Sequence, residues 1–155
     1  MREKYAKNTG SDEIDDWELC ELISSLKSKN RFKRLNALFI IENLNDKRLI
    51  EPLIELTKEN DRATKEYALY LLAKIENHVL CGDKVIKAFI DALNDENPSI
   101  RSYASLVLGD FGDYAAAKPL ILALKDEDEG VREEVMNALS NILISMGTRR
   151  VAGKI

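Results

Sequence analysis

The sequence predicts an all-α fold, an α-α superhelix (solenoid) of about four helix pairs. Three observations predict it. One segment recurs four times, starting at Leu22, Leu53, Phe89 and Leu120, with starts 31, 36 and 31 residues apart; a period of this size marks stacked repeats. Apolar columns recur inside the segment at helical spacing. Ala37, Ala68, Ala104 and Val135 are followed four residues on by Ile41, Leu72, Leu108 and Leu139, then three residues on by Leu44, Ile75, Phe111 and Ile142. Steps of four and three fall on one face of a helix. Strand-type alternation is absent, and three prolines and seven glycines in 155 residues leave long helices possible.

Each repeat reads as a helix A, a polar turn and a helix B. The spacing predicts A helices over 15–28, 47–58, 83–94 and 113–125, and B helices over 31–44, 61–77, 98–111 and 129–146. Trp17 stands at the start of the first A helix, where it would cover the open end of the first repeat. The small alanine column lets A and B backbones approach closely. Pro52 and Pro119 share one position, a residue before Leu53 and Leu120. An interior proline removes a backbone hydrogen bond, so two at one position predict a shared bend. The five extra residues between the second and third repeats are expected in a loop around NHVLCGDK. Pro98 suits the first turn of the third B helix. Asp113 suits the N-cap of the fourth A helix, and Gly147 suits a C-terminal cap of the last B helix. The expected organisation is a loose segment over 1–13, a repeat domain over 14–147 and a short tail over 148–155.

Composition narrows the function classes. Apolar residues at 45% and charged residues at 32% describe a folded chain and exclude general disorder. A net charge of −4 makes a poor general binder of nucleic acid or anionic membrane. No apolar run approaches a membrane span, and MREKYAKNTGSDE has no apolar core of a signal peptide. A cytoplasmic protein without a membrane partner is expected. Cys20 and Cys81 form no CxxC pair and are read as reduced, partly buried thiols.

One stretch carries a family pattern. In ALNDENPSIRSYASLVLGDFGDYAAAKPLILALKDEDEGVREEVMNAL (92–139), an Asp ends helix A and a Val/Ile-Arg pair opens helix B. The pairs are Asp95 with Ile100 and Arg101, and Asp126 with Val131 and Arg132. On these residues the chain resembles the HEAT-repeat family, particularly the short HEAT-like repeats of the phycobilisome-lyase type. The resemblance implies a hydrogen-bonded Asp–Arg ladder between stacked repeats, with a stabilising and not a catalytic role. Repeat two departs from it with Glu59, Thr64 and Lys65, and repeat one with Ser28, Lys33 and Arg34. Terminal repeats are often atypical because they cap the stack. Some HEAT-like hydroxylases bind iron through His-Glu pairs; no His-Glu dipeptide occurs here. No residue matches a catalytic set of the bilin lyases.

The B helices of a solenoid line its concave face, the usual binding surface. Counting from the column Arg34, Lys65, Arg101 and Arg132, the second, fifth and ninth positions supply the candidate site. The expected partner-binding residues are Phe39, Tyr67, Tyr70, Lys74, Tyr103, Leu106 and Asn137. Tyrosine offers area with a polar tip, as interfaces favour; the competing reading packs these rings between neighbouring B helices. A second candidate is an anion-binding turn of Lys27, Lys29, Arg31, Lys33 and Arg34. The run from Lys125 to Glu134 is acidic by contrast, and opposite charge at the two ends would serve head-to-tail self-association. His78 is the only histidine, and with Cys81 and Asp83 it offers too few ligands for structural zinc. No catalytic residue, metal or cofactor is expected. The expected function is a non-enzymatic scaffold or adaptor that binds another protein or peptide on the B-helix face. Alternatives are an accessory subunit of a lyase-like or other enzyme system, or a nucleic-acid-binding HEAT-like protein using the basic turn. Nucleic acid is the least expected partner, and the chain is expected to be a monomer or to self-associate weakly.

Overall fold

The computed structural model describes residues 14–44, 46–75 and 78–152, and no side chain at 78–82 or 149–152. The described residues form eight α-helices and no strand. They are α1 (Asp16–Leu26), α2 (Arg31–Ile41), α3 (Ile50–Leu56), α4 (Arg62–Lys74), α5 (His78–Ala92), α6 (Pro98–Phe111), α7 (Ala117–Ala123) and α8 (Glu129–Ala152). Each odd-numbered helix is an A helix and each even-numbered one a B helix, so the fold is the α-α solenoid that the repeats predict. The chain divides into two compact units between Asn77 and His78.

In the first unit α1 packs on α2, α3 on α4, and α2 on α4. Leu22, Leu26, Leu38, Ile41, Leu53, Leu69 and Leu72 are fully buried there. Each such side chain stabilises the fold by about 2 kcal/mol through the apolar area it removes from water. In the second unit α5 packs on α6, α7 on α8, and α6 on α8. Phe89, Leu108 and Leu120 centre its core, and the edge of one ring meets the face of the other where Phe89 packs on Phe111, with centroids 5.7 Å apart. The alanine column Ala37, Ala68 and Ala104 is buried in full. A close approach also joins α6 and α8. A Cβ placed on Gly109 would stand 2.6 Å from Cα of Ala138.

The turns follow local chemistry. Asp15 caps α1 by accepting from the Glu18 amide at 2.8 Å, Asn30 caps α2 through the Phe32 amide, and Asn97 caps α6 through the Ser99 amide. Pro98 is the first residue of α6, where no amide is needed. Asp46 and Asp113 cap two matching 3-10 turns, Lys47–Leu49 and Tyr114–Ala116, which lead into α3 and α7. Pro52 and Pro119 are each the third residue of the α-helix that follows. The bend expected from these prolines is therefore a 3-10 to α junction: bonding switches register there, and a residue without an N–H loses little.

Three expectations change. Residues 78–84 do not form the expected loop; α5 starts at His78. Gly82 is the weakest helix former among them and costs only about 1 kcal/mol. Gly147 caps nothing, because α8 runs through it to Ala152 with no proline behind it. Among the described residues the left-handed glycine is Gly112, with φ of 61°, which ends α6. Cys20 is exposed and not partly buried. The side chains of His78 and Cys81, and all of residues 1–13, lie outside the described residues.

Candidate functional site

The ladder residues come first, because they fix the B helices. Arg101 donates from Nε and Nη2 to the two carboxylate oxygens of Asp126, at 2.7 and 2.8 Å, across neighbouring repeats. Its Nη1 donates to the carbonyls of Asp95 and Glu96 at the end of its own A helix. The pair is nearly buried, with side-chain exposures of 8% and 10%. Arg101 holds the Asp126 carboxyl below the usual carboxylate range, and Asp126 raises the Arg101 guanidinium in turn. Arg132 repeats the carbonyl contacts, donating to Asp126 and Glu127. Arg34 does the same to Ser28 and Lys29 and also reaches Asp61 at 3.4 Å. The arginine of repeat one thus makes the ladder contacts, but its acid is the residue before α4, not Glu59. The Thr64 hydroxyl donates to Asp61, and this bond, followed by Arg31 and Arg34, lowers the Asp61 carboxyl.

The first unit brings three of the candidate residues onto one carboxylate. Tyr67 donates from its hydroxyl to Glu42 Oε2 at 2.8 Å, Tyr70 to Oε1 at 3.3 Å, and Lys74 Nζ stands 3.5 Å from Oε1. Lys74 also lies 5.7 Å from the centre of the Tyr70 ring, within cation–π reach. The Tyr67 hydrogen bond lowers the Glu42 carboxyl, and burial followed by Glu42 pushes the Tyr67 phenol up to about 12. Tyr70 stays 40% exposed and Phe39 47% exposed, while Tyr67 is half-buried. Glu42 lies outside the second, fifth and ninth columns that supply the sequence candidates. Its position, at the end of α2 and eight residues after Arg34, was the available signal.

The second unit holds the remaining candidates. Tyr103 is half-buried and packs at 6.4 Å against the Phe89 ring. Leu106 is 41% exposed, and Asn137 is exposed. Tyr103 and Leu106 line a groove of about 430 Å³ together with Ser99 and Ser102 of α6 and with Asp128 and Glu134 at the start of α8. The groove thus joins two large side chains, one aromatic and one aliphatic, to two carboxylates.

The basic turn is smaller in practice than its five charges. Arg31 lies 3.3 Å from Asp61, and Arg34 is committed to the same carboxylate. Lys27, Lys29 and Lys33 are exposed. Among the described residues no three His, Cys, Asp or Glu side chains gather as metal ligands would, and no helix is long and apolar enough to cross a membrane.

Comparison with known proteins adds a fold relation and one correction. Human deoxyhypusine hydroxylase, solved in complex with glycerol, is similar with a TM-score of 0.66 and 22% identity, over 85% of this chain and 44% of that one. A crystal structure of an engineered protein is similar with a TM-score of 0.59 and 19% identity, over 78% of this chain and 60% of that one. The chain spans less than half the length of the hydroxylase. At these identities the likeness shows the fold alone. No curated protein matches the chain by sequence. The expectation that the chain is not an enzyme is overturned by the hydroxylase, an enzyme with the same fold. That expectation rested on missing short motifs, and a repeat array can assemble a site from residues far apart in sequence. Residues 86–152 match the family model of HEAT repeats, which supports the HEAT-repeat resemblance carried by Arg101, Asp126 and Arg132.

Proposed function

We propose that this helical-repeat scaffold acts as an adaptor, taking a partner protein or peptide on the exposed face of its B helices. The observation that carries the reading is the Glu42 cluster. Tyr67, Tyr70 and Lys74 are held by one carboxylate, with Phe39 exposed on the neighbouring helix. Aromatic side chains fixed before binding lose little entropy on contact, which is where interface affinity comes from. The groove of Tyr103 and Leu106 offers the second unit a comparable surface, with Asp128 and Glu134 placed to receive a basic side chain. The finer likeness to repeats of the phycobilisome-lyase type belongs to this reading too and rests on the Arg101–Asp126 ladder. A nucleic-acid partner at the N-terminal turn has less support, because Arg31 and Arg34 already face Asp61.

A displayed-peptide selection on the immobilised chain tests the reading. Enriched peptides are expected to bind Tyr70→Ala or Leu106→Ala roughly tenfold more weakly, as for loss of an interface anchor. Peptides that bind both variants as they bind the wild type would remove the B-helix face as the site.

A further inference from the structure

Among the described residues, α8 carries an uncovered apolar face, and the repeat itself identifies it. Four residues after the ladder arginine stand Leu38 on α2 and Ser105 on α6, both fully buried where the next repeat of the same unit packs. The same position on α8 is Met136, 53% exposed. Further along α6, Gly109 and Gly112 meet Ala138 and Ser145 of α8. The matching positions of α8 are Ser140, exposed, and Leu143, 68% exposed. On the A helices Ile23 and Ile90 are half-buried, whereas the corresponding Ile121 is 56% exposed. The face that carries the next helix pair within each unit is thus uncovered on α7 and α8 among the described residues.

A complementary face lies on α2. Thr64 and Leu71 of α4, and Val131 and Ala138 of α8, are buried against the preceding pair. The equivalent residues of α2 are Lys33, exposed, and Ile40, half-buried, with Leu44 half-buried beyond them. Charge separates the two faces. Glu129 and Glu133 are exposed beside the α8 stripe, and Lys29 and Lys33 are exposed beside the α2 face. The internal stack sets Gly109 of one B helix on Ala138 of the next. In that register Glu133 meets Lys33 and Ser140 meets Ile40, with Met136 and Leu143 one turn to either side of that contact. Opposite charges beside matched apolar stripes select a partner and its orientation.

We propose that the chain associates head to tail, with the α7–α8 face of one copy seated on the α1–α2 face of a second copy. This stands apart from peptide binding, since it uses a different face of the B helices. Sedimentation velocity over a concentration series of the full chain tests it. The wild type is expected to associate, and Met136→Glu, Leu143→Glu or Lys33→Glu to weaken association at least roughly tenfold. All three positions are exposed, and unchanged circular dichroism checks that the variants fold. Exchanging the charges in one chain, Lys33→Glu with Glu133→Lys, restores association. Mixing the Met136→Glu chain with the Lys33→Glu chain gives a 1:1 dimer that grows no further, because each keeps one working face. A monomer at every concentration overturns the proposal. So does a Lys33→Glu chain that associates like the wild type, the mark of two α8 faces paired with each other.

Discussion

The ladder shows how much one residue can decide. Arg101 and Asp126 are nearly buried, bidentate and backed by carbonyls. Removing one member leaves the other charged, desolvated and short of partners. Asp126→Ala should destabilise the fold by about 2–4 kcal/mol, measured by urea denaturation at neutral pH. The pH dependence has a definite sign. The Asp126 carboxyl is lowered in the folded chain, so the unfolded state takes up protons first as pH falls. Its contribution is fully present above the ordinary Asp value of about 4, and fades as pH drops through the lowered folded value. Asp126→Asn should therefore flatten stability against pH below about 4, and an unchanged acid slope would show that the pair does not set it. These two residues were legible in sequence because they recur at fixed register. Glu42 and Asp61 were not, because their roles exist only once α2 lies beside α4.

At the scale of helices, sequence fixed types better than ends. Pro98 marked the start of α6, and Asp113 proved to cap the 3-10 turn that leads into α7 and not α7 itself. Local signals erred at Gly147, read as a cap, and at 78–82, where the five extra residues were expected to form a loop and instead extend α5. Gly112 was the true stop because the chain must turn there to start the 3-10 segment. Gly109 went unread for another reason: within one helix it looks like a weak residue, and only the approach of α8 gives it a purpose. Gly109→Ala removes a poor helix former yet places a methyl against the Ala138 backbone. Overpacking should prevail, lowering stability by about 1–3 kcal/mol. Gly109→Val should cost more, and thermal melts of the two variants give the order. A Gly109→Ala chain more stable than wild type would mean that α8 shifts freely, and the close contact would then carry no specificity.

At the scale of the whole molecule, the solenoid was legible because each repeat must bury the same face, and that demand is printed four times in the sequence. The candidate site was legible only as positions. Column counting placed Tyr67, Tyr70 and Lys74 on one B helix, but exposure depends on neighbours, which split Phe39, Tyr70 and Leu106 from the half-buried Tyr67 and Tyr103. The same locality makes a prediction about folding. A repeat protein's stability is close to a sum over repeats and their nearest interfaces. The unit beginning at His78 has its own core of Phe89, Ala104, Leu108, Leu120, Val135 and Ile142, and its own Arg101–Asp126 bond. Chains of this size can fold alone, though with a marginal core. Residues 78–155 produced alone should therefore be helical by circular dichroism and melt in one cooperative step, and Asp126→Ala should abolish that step. A non-cooperative melt of the unsubstituted fragment would instead mean that the ladder and core of this unit fall short of the conformational entropy they must offset.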